Sequence, residues 1–300
     1  MLLAFDWTQL AQQTVIGLSV GGTWALLALA LVLIYRSTGV INFAQGEMAM
    51  FSTFIAWSLV HHGLSFWEAF FLTMAISFVG GVAVERVVIR PVERAPELTV
   101  AIVTIGLFFL VDGAAKWIWS SETRTLPNAF STRPIDVAGV AFSIQDLGNI
   151  AVSLGVVVLL WLLFRLTKVG LALRASAVNP DESRLLGIRV SWMLALGWGL
   201  AAAMGAVSGM LTAPALGSFD QNLMQAVLLY AIAGAVLGGL GSPVGAVVGS
   251  LLLGVLVTLV GTYVDWIGTE LRTPFALAVI LAVLLVRPAG LFGRTAVRRV

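Results

Sequence analysis

The sequence predicts an all-α integral membrane protein: a polytopic bundle of eight to nine transmembrane helices, one of which a re-entrant segment could replace. Three observations predict it. Hydrophobic residues make up 59% of the 300-residue chain, charged residues only 11%, and mean hydropathy is +1.00, whereas a soluble chain carries about 25% charge. The apolar runs are long and unalternating, which argues for helices and against an outer-membrane barrel. The longest fairly polar stretch, Ser120 to Asp146, is too short to fold alone, so residues 1–300 read as a single transmembrane domain.

Spans are expected near 14–35, 46–60, 67–85, 98–118, 147–164, 191–213, 223–241, 243–264 and 273–287. The stretch MLLAFDWTQLAQQ holds no basic residue, and Arg36 is the first one. It therefore lacks the positive region of a cleavable signal, and the first helix is expected to remain. A re-entrant segment could pass for a span among the first two runs, or in the pair broken by Gly241-Ser242-Pro243.

Orientation follows from Lys and Arg. Thirteen of the 17 basic residues fall on one side in the nine-span reading: Arg36; Arg86, Arg90 and Arg94; Arg165, Lys168, Arg174, Arg184 and Arg189; and Arg287, Arg294, Arg298 and Arg299. The other side holds Lys116, Arg124, Arg133 and Arg272. The 165–190 loop and the C-terminus are then cytoplasmic, and the 120–146 loop is extracytoplasmic.

Gly17/Gly21, Gly205/Gly209, Gly234/Gly238 and Gly245/Gly249 fit the GxxxG spacing that lets helix backbones approach closely in lipid. The stretch AIAGAVLGGLGSPVGAVVG is the most small-sided. Either helices cross very closely there or a narrow path runs past it.

Several chemistries lack their residues. The only lysines, Lys116 in AAKWI and Lys168 in LTKVG, make no P-loop, so the chain is not the ATP-hydrolysing part of anything. There is no GxSxG elbow and no HExxH zinc helix, hence no support for an enzyme. Without cysteine, and with only His61 and His62 in an interfacial loop, no metal site is expected. Glu47, Asp112 and Asp220 sit at or near span ends and form no buried proton ladder.

Two stretches stand out. VINFAQGEMAMF, residues 40–51, mixes Asn42, Gln45, Gly46 and Glu47 with large apolar side chains. It is either irregular chain at membrane depth, tolerated only against protein or water, or a connector in which Asn42 caps the next helix. GLALRASAVNPDESRLLGIRV, residues 170–190, reads as two short helical pieces broken at Asn179-Pro180, with Asp181 and Glu182 at a helix start. Two short helices at a sharp angle make a knob, which is either an ordinary charged loop or a docking surface.

That loop resembles the cytoplasmic coupling motif of ABC importer permeases. INFAQGEMAM, ERVVIRPVER, LGGLGSPVGAVVGSLLLG and LLVRPAGLFGR, in that order, resemble the H-type permeases of high-affinity branched-chain amino acid importers. The likeness runs from about Gly17 to Arg294, with Leu171 and Ser183 departing from the usual Arg and Ala. The resemblance implies a bacterial cytoplasmic-membrane subunit that works by alternating access. Its implied partners are a related M-type permease, two cytoplasmic ATPases that carry ATP and Mg, an extracytoplasmic solute-binding protein and the lipid bilayer. No cofactor bound by this chain and no nucleic acid is implied. Relatives of this kind also carry urea or short amides, so the substrate stays open. Under this resemblance Arg174, Asn179, Asp181, Glu182 and Gly187 are the expected ATPase-coupling residues. Asn42, Gln45, Gly46 and Glu47 are the expected substrate pathway, with Gly239 and Gly241 as close-packing neighbours. The rival class is a stand-alone secondary transporter, for which the sequence offers neither an evident inverted repeat nor an ion-site carboxylate cluster.

Overall fold

The computed structural model describes residues 7–93, 95–137, 139–264, 268, 271–287 and 289–293. Four residues of the orientation argument, Arg94, Arg294, Arg298 and Arg299, lie outside the described residues.

Every expected span has a helix at its position, but not every helix is long enough to cross a bilayer. Six are long and apolar enough among the described residues: α1 (Trp7–Thr38), α3 (Phe66–Val84), α4 (Glu97–Trp119), α5 (Ile144–Leu166), α8 (Val190–Ala215) and α10 (Pro243–Tyr263). A π-helical turn and a 3-10 turn carry α3 on to Val92. The remaining three expected spans are α2 (Gln45–His61), α9 (Leu223–Gly238) and α11 (Arg272–Val286), with 17, 16 and 15 residues. They lie at or below the lower end of the roughly 17–25 residues of a bilayer-spanning helix. Six of the expected eight to nine spans meet that length and composition. At α2 the helix starts only after the non-helical residues 39–44.

Helices α1 and α8 form the centre, and most of their apolar length is buried, whereas α3, α4 and α5 expose most of theirs. The four GxxxG pairs named above sit at close helix contacts. Gly17 and Gly21 face Val255, Gly254 and Ser250 of α10, and Gly205 and Gly209 face Gln45, Ala49 and Thr53 of α2. Gly234 and Gly238 face Ser250 and Gly245, and Gly249 faces Gly234 in return. A Cβ at Gly238 would collide with the carbonyl oxygen of Gly245. The small-sided stretch is therefore a close crossing of α9 and α10. Packing of this kind holds helices together where lipid removes the hydrophobic drive.

The 120–146 loop contains a β-hairpin that the sequence reading had as plain loop. Strands β1 (Pro134–Val137) and β2 (Val140–Ser143) pair antiparallel, with Pro134 opposite Ser143 and Val137 opposite Val140. The turn includes Gly139 at φ +84°, a left-handed conformation that glycine adopts without strain. Ser143 then caps α5 in a reciprocal box with Asp146. The loop is tied down by Arg124, which pairs backbone to backbone with Phe219, and by Gln221, which donates to the Ser120 carbonyl.

Candidate functional site

The polar start of α2 is wholly enclosed. Asn42 and Gln45 are 0% exposed and Glu47 is 2% exposed. The Gln45 Nε2 donates to the carbonyl oxygen of Ala201 at 3.0 Å, and the Asn42 Nδ2 donates to Gln45 Oε1 at 3.2 Å. Asn42 Oδ1 accepts from the Ala44 backbone N–H at 3.1 Å. Asn42 thus ties the chain just ahead of α2 but does not cap it: Ala44 holds the cap position and contributes no side-chain bond.

Position along α8 fixes the depth of this cluster. Ala201 lies 11 residues beyond the start of α8 at Val190 (201 − 190), or about 16 Å along the axis at 1.5 Å per residue. The end of α8 at Ala215 is 14 residues further on (215 − 201). The first turn of α2 therefore begins near the middle of one of the two most buried long helices, and the Phe43 backbone N–H reaches Thr104 Oγ1 of α4 at 3.4 Å. Gly46 lets α2 press on α9, where a Cβ would stand 3.2 Å from Leu228 Cβ. Glu47 Oε2 has no hydrogen-bond partner, and the Asp112–Lys116 ion pair of α4, 2.7 Å long, acts on it electrostatically.

The two outlying glycines separate. Gly239 ends α9 at φ +102° and is closely packed, but against Ala289 and Gly293 of the C-terminal segment rather than the Asn42 cluster. That segment continues the contact, with Leu291 and Phe292 donating to the carbonyls of Leu237 and Gly238. Gly241 is exposed and has open space around it, so its expected role as a close-packing neighbour is corrected. Gly238, Gly245 and Gly249 are packed against backbone at the neighbouring α9–α10 crossing.

The expected knob is present. α6 (Lys168–Val178) folds back on the end of α5 at the extended residue Thr167, and Gly170 allows it, because a Cβ there would strike the backbone of Phe164. α7 (Pro180–Leu185) follows at once. Asn179 Oδ1 accepts from the Glu182 N–H at 3.2 Å, and Pro180 occupies the first helical position, where its missing donor costs nothing. Asp181 pairs with Arg184 at 2.8 Å. Gly187 turns the chain into α8 at φ +81° with nothing around it. Arg174, Asp181 and Glu182 are exposed, and so are the apolar Leu185 and Leu186 at the tip. An exposed leucine pair, flanked by charged residues, thus marks the end of this short capped helix.

Two features escaped the sequence reading. The Ala201 carbonyl is a backbone acceptor that no side-chain motif announces. Glu85 is buried at a π-helical turn, Glu85–Ile89, and the only hint of it was an acid opening the basic stretch ERVVIRPVER.

Known proteins match along nearly the whole chain. The family described as branched-chain amino acid transport system, permease component, matches residues 13–286. The high-affinity branched-chain amino acid transport system permease protein LivH of Salmonella typhimurium is 31% identical, covering 96% of this chain and 97% of its own. The permease protein BraD of the same kind of system in Pseudomonas aeruginosa is 31% identical with the same coverage of each. The probable permease protein LivH of Methanocaldococcus jannaschii is 30% identical over 89% of this chain and 88% of its own. Matched by that family over residues 13–286 and by relatives 30–31% identical along most of their own length, the chain belongs to the family of branched-chain amino acid transport system permease components.

Proposed function

We propose that the chain is the H-type membrane subunit of an ATP-driven importer and carries branched-chain amino acids across the bacterial cytoplasmic membrane by alternating access. The observation that carries this reading is the α6–α7 knob, charged and apolar at its exposed tip, on a chain that matches importer permeases from end to end. An M-type permease completes the membrane part, two ATPases dock on the knobs, and a solute-binding protein delivers substrate on the other side. The positive-inside count puts the knob and the C-terminus in the cytoplasm and the β-hairpin outside.

In this mechanism ATP-driven approach of the two ATPases pushes α6–α7, which leans on α5, α1 and α8. Each nucleotide state must bind one arrangement of the permease better than the other, because a ligand shifts an equilibrium only by its differential affinity. Arg174, Asn179, Asp181, Glu182 and Gly187 make the coupling contact. Asn42, Gln45 and Glu47 line or border the path at mid-bundle, where α2 begins as a re-entrant half-helix. Amides already bonded to each other and to one backbone carbonyl can solvate a zwitterion briefly without trapping it.

The test is reversal of Arg174 and Glu182 together, as Arg174→Glu with Glu182→Lys, in the reconstituted complex. ATP-driven leucine uptake falls at least ten-fold with the complex still assembled. Uptake at the wild-type rate sinks the coupling assignment, and uptake of urea or short amides in place of leucine sinks the substrate.

A further inference from the structure

Beneath the knob lies a partly open cavity of about 880 Å³, lined by α1, α4, α5, α8, α10, the end of α3 and α6–α7. Its walls are largely apolar, through Leu29, Leu33, Ile89, Leu160 and Val247. Its size falls in the range of pockets that take small molecules, roughly 300–1,000 Å³. The cavity holds charges of both signs. Glu85 lines it and is 1% exposed, yet neither carboxylate oxygen has a hydrogen-bond partner. The charge nearest in sequence is Arg86, with Nε 3.6 Å from Glu85 Oε2, but its guanidinium lies over the Trp192 ring at 4.1 Å and lines a neighbouring cleft instead. Glu93 Oε2 and Ser176 Oγ, also buried and unpartnered, line the cavity too. Arg36, Arg165 and Arg174, all largely exposed, also line it, with Arg165 lying over the Trp161 ring at 5.0 Å, while Asp181 and Arg184 satisfy each other.

A buried carboxylate without hydrogen bonds is costly to keep. Here it opens a π-helical turn, a distortion that recurs at functional sites. The chemistry that would satisfy the cavity is a primary ammonium for Glu85 and Glu93, an anion for the arginines, and an apolar tail for the walls. We infer that the cavity is a cytoplasmic-side site for a free zwitterionic amino acid with an apolar side chain, and that its occupancy brakes import. The inference rests on the importer reading above. One wall is the knob and the opposite walls are membrane helices, so the pocket changes shape whenever the knob moves. An amino acid that fits the present shape stabilises it against the ATP-driven one, and by reciprocity ATP-driven movement weakens its binding.

Phosphatidylethanolamine carries the same two charges on an apolar body, so the test has an arm for each source. Leucine binding is measured on the purified permease–ATPase complex without the solute-binding protein. Saturable binding is expected, competed by isoleucine and valine but not by leucine methyl ester, which lacks the anion, or 4-methylvalerate, which lacks the ammonium. Glu85→Gln lowers the affinity at least ten-fold. Leu33→Trp, which fills the apolar end, does the same and serves if the first variant fails to assemble. In vesicles with the ATPases facing the bath, leucine added to the bath slows transport of labelled leucine from the lumen, and either variant relieves the inhibition. No binding, affinity unchanged in both variants, or co-purified phosphatidylethanolamine that leucine does not displace would overturn the inference. A complex that transports leucine but ignores bath leucine overturns this inference alone; a complex that transports no branched-chain amino acid overturns the importer reading instead.

Discussion

The α9–α10 crossing gives the sharpest test, because local and tertiary physics predict opposite signs for one methyl group. The perturbation is Gly249→Ala in the interior of α10. Alanine is the better helix former by about 0.8–1.0 kcal/mol, so propensity alone predicts a gain. A Cβ at Gly249, however, would meet the backbone of α9: the carbonyl oxygen of Gly234, the nitrogen of Gly238 at 2.6 Å and its Cα at 3.0 Å. Overpacking costs about 1–3 kcal/mol, and these neighbours cannot rotate away, which places the cost near the top of that range. The net expectation is a loss of about 2 kcal/mol. For a chain of this size that is a fall of roughly 4–8 °C in melting midpoint, at about 2–4 °C per kcal/mol. The assay is tryptophan fluorescence on heating in one detergent at one scan rate, since unfolding of such proteins is often irreversible. Gly155→Ala in α5 is the control, because nothing lies within 4 Å of a Cβ there, and it should match or exceed the wild-type midpoint. A Gly249→Ala protein that melts at or above wild type would refute the claim that backbone contact holds α9 to α10.

Other residues give further outcomes. Asn179→Ala removes the bond to the Glu182 N–H and costs about 1 kcal/mol locally; in a six-residue helix this should quicken amide exchange over 180–186 about five-fold. Gln45→Leu strips the link to the Ala201 carbonyl and leaves Asn42 Nδ2 with only the Met48 sulfur at 3.8 Å, costing roughly 1–2 kcal/mol in a membrane bundle. If these amides serve only structure, uptake falls no further than the thermal midpoint implies; a pathway role predicts a larger loss. Because the chain has no cysteine, Asn42→Cys and Gln45→Cys each create a single reactive site. Labelling from both faces that changes with substrate is expected, and labelling from the cytoplasm alone rejects the path.

Much of this was legible in the sequence, for identifiable reasons. Asn179-Pro180 forces a helix boundary through the clash that proline imposes on its predecessor, so the break in the knob was readable without coordinates. GxxxG spacing needs only helical periodicity to put two glycines on one face, and the four pairs that lie within helices are crossing points; Gly241/Gly245, broken by Pro243, is not. The β-hairpin was missed because strands of four residues carry too little periodicity to be seen beside apolar helices. Gly241 was misjudged because glycine in a sequence looks the same whether it is squeezed or free.

Composition and hydropathy by themselves determined that this is a helical membrane protein, since a chain so poor in charge cannot be solvated any other way and lipid demands internal backbone bonding. Motif order, read against the known permeases, determined its family. Only the tertiary structure decided how far along α8 the cluster at Asn42 and Gln45 lies, because that depends on which carbonyl of α8 the amide meets. It also decided that Glu85, which resembles any loop-end acid in the sequence, lines a largely apolar cavity with the Arg86 ion pair at 3.6 Å but no hydrogen bond. The physical reason is the same in both cases: spacing along a chain fixes which face of a helix a residue occupies, but only the neighbouring helices fix what that face meets.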